Sequence, residues 1–331
     1  MLQRLDGSCS YVLADPATER MLLPFATRGR ARDDLAYLRE SNPIANHRRF
    51  TRNVLQAQVD ADRSVLISPW WPHGLDATGS GLVATLRFAE NAANSPLIEG
   101  RELLVGVALT ESVVRSEQAR NEVLDQLVEG PEYPVYLRVL VTPPASFTQY
   151  RDGAVLEGLR EIVASLGANG RSVLLPQNGL AGWLMLGFGA VAFGAGINGS
   201  LQRYAMPREG GGGGQPPLEW YFLPGLLGFV LRSEVADLAE VDGFESCPCP
   251  YCPALPFGAG GAWNRNAAGN HFLWWCSTLA EEVRAAGDRA LAVRDRLASA
   301  TAYWDAVQEE GVVLDQRSVP QHLEAWSDAV S

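Results

Sequence analysis

The middle of the chain alternates short, nearly continuous apolar runs with stretches of helical periodicity, and few folds accommodate that alternation. Val65-Leu66-Ile67-Ser68 stops at Pro69, and helical spacing follows from Gly81 to Ala93. Leu103 to Thr110 (LLVGVALT) is a buried-strand run, with one helix expected from about Ser112 to Val128. Val135 to Thr142 ends at Pro143-Pro144, and Ala154 to Leu166 repeats apolar residues at i, i+3 and i+4. Val173-Leu174-Leu175 precedes a short helix near Leu180 to Gly187, and Ala190 to Gly196 reads as the next strand. Strands apolar on both faces and separated by helices are parallel strands covered by their own crossovers. Four or five such units favour an α/β protein, either a (β/α)-barrel or a doubly wound sheet.

From Glu209 the pattern changes. Gly210 to Gly214 are five consecutive glycines, followed by Gln215-Pro216-Pro217, and predict a mobile loop open to proteolysis. Trp220 to Pro224 (WYFLP) is a candidate last strand, and Val235 to Val241 a short helical or extended piece. From His271 the chain reads as helical, to Ala286, then to about Gln308, with a short helix near Gln321 to Val330. The most apolar stretch, Gly179 to Ile197, contains six glycines and suits a strand-turn-helix better than a membrane span. Met1 to Ala14 has no unbroken apolar core of an export signal, so the expectation is a soluble cytoplasmic protein that does not engage membranes.

Charge narrows the chemistry. The net charge is −11, and all 27 cations are arginine, which excludes Schiff-base catalysis and a P-loop lysine. An acidic chain is a poor indiscriminate binder of nucleic acid. Thr27 to Arg52 nevertheless holds seven arginines against Asp33, Asp34 and Glu40. Arg48, Arg49 and Arg52 within it are candidates for docking on phosphate, the ordinary alternative being a solvated face.

Cys247-Pro-Cys249-Pro-Tyr-Cys252 places three thiols within six residues, and eighteen residues separate Cys252 from His271. Two prolines stiffen the segment so that three sulfurs can converge. Cys₃His is a closed tetrahedral donor set for structural Zn²⁺. Cys276, five residues after His271 on the same expected helix, competes for the fourth place, although Trp274, Trp275 and Leu279 around it suggest core packing. Cys9 is remote.

C-x-C-x-x-C followed by a histidine that opens a helix resembles the zinc site of the tRNA-guanine transglycosylase superfamily, which includes queuine, archaeosine and 7-deazaguanine DNA-modification enzymes. Asn270-His271-Phe272-Leu273-Trp274-Trp275, with Leu279 and Arg284, fits the family's helix and favours His271 over Cys276. The resemblance covers roughly residues 170–290. It implies a (β/α)8 TIM-type barrel over residues 1–235, carrying the Arg-rich N-terminal segment, and a zinc-binding subdomain with C-terminal helices over 236–331. It further implies nucleic-acid base exchange on tRNA or DNA, and a homodimer or a heteromeric partner through the zinc region.

The family's nucleophile is an aspartate just after a phenylalanine on the final barrel strand, and a second carboxylate lies in an Asp-Ser-Gly motif. Here Phe193 is followed by Gly194, and no acid occurs between Glu161 and Glu209. The early strand reads Leu66-Ile-Ser-Pro-Trp70-Trp71-Pro-His73-Gly74, without Asp-Ser-Gly. The remaining catalytic candidate is Glu111, at the end of a strand, or otherwise a helix N-terminal acid. Candidate ligand-binding residues are Gln177 and Asn178 for a base edge, Gly194 and Gly196 for backbone amides on a phosphate, and Trp71 and His73 for stacking. The expected function is therefore a catalytically degenerate binding or partner subunit. The alternatives are an active pentosyltransferase with a relocated carboxylate, and a barrel recruited to another small ligand.

Overall fold

Strands and helices alternate from residue 47 to residue 193 in the computed structural model, which describes residues 36–40, 42–75, 80–141, 149–196, 204, 220–252 and 263–331. The strands are β1 (Val65–Ile67), β2 (Glu102–Thr110), β3 (Val135–Leu140), β4 (Val173–Leu175) and β5 (Ala190–Phe193). They form a five-stranded parallel sheet in the order β1-β2-β3-β4-β5, the order of the sequence. The protein is therefore mixed α/β. The expected strand runs are present, although β3 and β5 stop earlier than their apolar runs suggest. The chain divides into two compact units, and the division passes through β4: residues 1–140, 168–174 and 206–210 form the first, and 141–167, 175–205 and 211–331 the second.

In the first unit, α1 (His47–Asp60) is amphipathic. Phe50, Thr51, Val54, Leu55 and Gln58 are buried on one arc, while Arg48, Arg49 and Arg52 are exposed on the other. Alternation-based reading missed this helix because its apolar positions are sparse among arginines and glutamines. Gln58 clamps β1: its Oε1 accepts the Ile67 N–H at 2.8 Å and its Nε2 donates to the Ile67 carbonyl at 2.9 Å. A side-chain amide thus stands where a further strand would pair. The helix α2 (Ser80–Ala93) follows β1. The single helix expected after β2 is two, α3 (Glu111–Arg115) and α4 (Glu117–Glu129). Ser116 causes the break: its backbone is extended and its hydroxyl accepts the Ala119 N–H, capping α4. Arg171 then donates to the carbonyls of Val128, Gly130 and Pro131, closing the C-terminal end of α4.

The second unit contains α5 (Gly153–Ala168) up to Gly167, α6 (Gly179–Leu184), α7 (Val235–Ala239), α8 (Arg265–Ala285), α9 (Arg289–Glu309) and α10 (His322–Val330). Trp220–Leu223, expected as a last strand of the parallel array, is instead β6 of a separate antiparallel pair with β7 (Gly228–Leu231). Only three residues, Pro224–Leu226 in a 3₁₀ turn, and Leu227 in the left-handed region (φ 49) separate the two strands. A hairpin connection of that length cannot return a strand in parallel. The strand β7 had not been foreseen. The pentaglycine segment lies outside the described residues, as does Cys9.

His322 is fully buried against Trp326, with ring centroids 4.5 Å apart. Burial holds its pKa down at about 3, opposed by hydrogen bonds to the backbone of Leu227 and Leu226. The unfolded chain takes up this proton near pH 6.5, while the folded chain does so only far lower. Its stabilising contribution is complete above that unfolded value and is lost as pH falls toward the folded one. Urea unfolding at pH 5.5 is expected to show about 1.4 kcal/mol less stability from this group than at pH 7.5. The same comparison in His322→Gln should lack that difference.

Candidate metal centre

Three thiols and one imidazole converge in the second unit. The ligand atoms of Cys247, Cys249, Cys252 and His271 all lie within 4.8 Å of one another, a compact group that could bind a metal ion. His271 Nδ1 is 3.5 Å from Cys247 Sγ, 3.3 Å from Cys249 Sγ and 3.2 Å from Cys252 Sγ. Zn–S bonds near 2.3 Å and Zn–N bonds near 2.05 Å at tetrahedral angles place sulfur and nitrogen about 3.5 Å apart. The donor set and its spacing fit zinc.

The local sequence explains the convergence. Pro248 and Pro250 are exposed, whereas Cys249 is buried and Cys247 half-buried, so the stiff extended segment alternates ring out and sulfur in. His271 comes from α8, which begins at Arg265 because the Asn264 side chain accepts the N–H groups of Asn266 and Ala267. His271 therefore sits in the second turn and does not open the helix as the sequence pattern suggested. Trp275 is four residues on, on the same face, and its indole N–H reaches Cys247 Sγ at 3.1 Å. Cys276 lies five residues from His271, about 140° around the helix, and is buried apart from the cluster.

The imidazole is oriented by its other nitrogen. His271 Nε2 is 2.7 Å from the Phe222 carbonyl, which can only accept, so Nε2 carries the proton and Nδ1 presents its lone pair to the sulfurs. The Tyr221 ring stacks on the imidazole at 4.5 Å and 25°, and its hydroxyl lies 3.5 Å from Cys252 Sγ. Adjacent residues of β6 thus fix the ring and cover it. Hydrogen bonding from Cys252, aided by His271, draws the Cys247 thiol down. Burial pushes Cys249 up and the hydrogen bond to Cys247 pushes Cys252 up, so the cluster favours one thiolate among its three sulfurs. Cys276→Ala is expected to retain one metal per chain in elemental analysis. Metal loss in that variant, with retention in His271→Ala, would reverse the assignment of the fourth ligand.

The other residues expected at a site are placed separately. In the second unit, Gln177 and Asn178 follow β4, and Gly194 and Gly196 follow β5. Gln177 adopts the left-handed conformation (φ 55), unusual for a non-glycine residue. Gln177 Oε1 and Asn178 Nδ2 are buried without a hydrogen-bond partner among the described residues. The Gly194 carbonyl accepts the N–H groups of Asn178 and Gly179, each at 3.2 Å, and its own N–H donates to Leu175 at 2.9 Å. A Cβ at Gly194 would lie 3.1 Å from Gln177 N and 3.2 Å from Pro176 Cα. Backbone of Pro176 and Gln177 therefore crowds the position where a side chain would begin.

In the first unit, His73 continues the pairing along β2, its N–H donating to Ala108 at 2.8 Å and its carbonyl accepting from Thr110 at 3.0 Å. Trp71 packs on the cluster of Tyr37, Phe50, Val54, Ala84 and Phe88, as ordinary core packing requires. Glu111 opens α3, with Arg115 at 3.7 Å one turn on and its side chain only 12% exposed. Arg48 and Arg52 are exposed on α1, and Arg49 there pairs with Glu40. Sequence reasoning missed Arg138, which is fully buried with its guanidinium 4.6 Å from the Trp70 ring and 5.1 Å from the Tyr136 ring. The signal was available: Arg138 is the only charge in the apolar run VYLRVL.

No protein-family model matches the sequence, and no curated protein matches it.

Proposed function

We propose that this protein is a zinc-stabilised, catalytically silent binding or partner subunit in nucleic-acid base modification, akin to the tRNA-guanine transglycosylases. The observation that carries the reading is the pairing of a candidate Cys₃His centre with a backbone-crowded glycine, Gly194, at the position the resemblance gives to the nucleophile. Attack on an anomeric carbon needs a carboxylate within about 3–3.5 Å of it. The backbone contact at Gly194 supports the absence of such a group from that strand end. Zinc, once bound by Cys247, Cys249, Cys252 and His271, supplies folding energy with no open coordination position for chemistry.

Strand order supports the finer fold. Parallel neighbours in sequence order, joined by right-handed crossovers, put successive helices on one side of the sheet, as a (β/α)8 barrel requires and a doubly wound sheet does not. Base recognition falls to Gln177 and Asn178, whose unsatisfied amide atoms offer one acceptor and one donor at the end of β4. Arg48 and Arg52, with Arg49 beside them, supply the phosphate contacts to tRNA or DNA. A partner docks through the zinc region, and the cytoplasm, where thiols stay reduced, suits the centre. No described helix is long and apolar enough to cross a membrane.

The test incubates the protein with labelled guanine and tRNA or duplex DNA, then denatures it and looks for a covalent adduct. None is expected, while tRNA or DNA binding should weaken steeply with salt and in Arg48→Ala/Arg52→Ala. An adduct mapping to Glu111, or to any other carboxylate, would overturn the silent-subunit reading and make the protein a pentosyltransferase.

A further inference from the structure

Arg296 touches all three elements that build the metal centre. It lies in the first half of α9, in the second unit, with its side chain 20% exposed. Its Nη2 donates to Glu245 Oε2 at 2.6 Å, two positions before Cys247. The same nitrogen donates to the Pro224 carbonyl at 3.3 Å, two positions after Phe222, whose own carbonyl orients His271. The guanidinium carbon stands 5.9 Å from the centre of the Trp275 ring on α8.

Each of these contacts has a metal ligand close behind it. Trp275 is buried, and its indole N–H donates to Cys247 Sγ at 3.1 Å. The Cys249 N–H reaches the same sulfur at 3.4 Å. Arg296 therefore holds both the chain just before Cys247 and the ring that bonds its sulfur. Glu282 of α8 is a further carboxylate in electrostatic range, so the cation stands between two acids. A guanidinium suits this place, because its edge bonds oxygens while its flat face rests on an aromatic ring. An ammonium has the charge without the face. Segments distant along the chain lose freedom when they gather on a metal ion, and a link that gathers them beforehand lowers that cost.

We propose that Arg296 is a positioning residue of the metal centre. Through Pro224, Glu245 and Trp275 it locks the end of β6, the cysteine segment and α8 together, so that the three sulfurs and the imidazole are gathered before the metal arrives. It acts through its neighbours, as the outer partners of metal ligands do. The inference rests on the metal reading of the Cys₃His cluster and is independent of the base-modification reading.

The experiment measures zinc affinity of the full-length protein by competition with a chromophoric chelator. It also follows the Trp275 indole N–H by NMR of the isotope-labelled, zinc-loaded protein, the signal being assigned by its loss in Trp275→Phe. Arg296→Gln should weaken zinc about tenfold or more and shift the indole signal, which a general loss of stability would not move. Arg296→Lys, which keeps the charge between the two acids, should recover only part of the affinity. Glu245→Gln, at the more exposed end of the pair, should weaken zinc in the same direction and decides the matter if Arg296→Gln does not fold. Arg294→Gln is the control: it lies on the same helix but bonds the Val330 carbonyl, and zinc affinity should not change. Unchanged affinity in Arg296→Gln, an unmoved indole signal, full recovery in Arg296→Lys, or an equal loss in Arg294→Gln would overturn the proposal and leave the metal centre standing. Failure of the unaltered protein to bind zinc would overturn both, with the adduct and nucleic-acid assays untouched.

Discussion

Cys249→Ser is expected to yield protein without stoichiometric zinc and with a large loss of stability and solubility. Cys249 is the buried sulfur of the cluster, 3.3 Å from His271 Nδ1 and 3.4 Å from Cys252 Sγ. Serine at neutral pH offers no thiolate, and the remaining donors no longer close a tetrahedron. Metal affinity is folding energy here, because β6, the cysteine segment and α8 meet at the centre. Structural zinc sites are worth about 10–16 kcal/mol of apparent binding energy in small zinc-finger peptides, so a loss of several kcal/mol is a conservative expectation. Elemental analysis and urea unfolding check it, with EDTA treatment of the unaltered protein reproducing the direction. One zinc per chain in a variant with Cys247, Cys249, Cys252 and His271 all changed to alanine would remove the centre from these residues.

Trp183→Ala should destabilise the second unit by about 3–5 kcal/mol, the range for a buried large aromatic truncated to alanine. Trp183 is fully buried on α6, and its indole N–H donates to the Leu279 carbonyl of α8 at 3.1 Å. The residue thus links the segment after β4 to the helix that carries His271. The Leu279 carbonyl also belongs to a helix interior, so the cavity rather than the lost hydrogen bond dominates the cost. Trp183→Phe, which retains much of the volume and loses the indole N–H, should cost less than half as much. A loss below about 1 kcal/mol for Trp183→Ala in urea unfolding would show that the site collapses around the missing ring.

The α/β class was legible because β2 and β3 are apolar on both faces, and a strand of that kind is rarely anything but an interior parallel strand. Three of the metal ligands were legible for a different reason. Cysteines two and three positions apart on a proline-stiffened segment are local, and local geometry can be read from spacing. Helix α1 was not legible, because its arginines masked the buried arc of Phe50, Val54 and Leu55. The split between α3 and α4 was hidden as well, since a capping serine in the middle of a helical pattern looks like an ordinary polar position.

By itself, then, the sequence determined the alternating parallel architecture, the thiol cluster and the lack of any acid between Glu161 and Glu209. Each depends on residue identity and short-range spacing. Only the tertiary structure decided that His271 rather than Cys276 completes the donor set, because that depends on which arc of α8 faces the Cys247–Cys252 segment. It also decided that Trp220–Leu223 turns back on β7, and that the Pro176–Gln177 backbone crowds Gly194. His322 and Gly228 are 94 positions apart in no readable pattern, and they meet only because α10 lies against the start of β7. Contacts between segments distant in sequence are set by packing, and packing leaves no period in the chain to read.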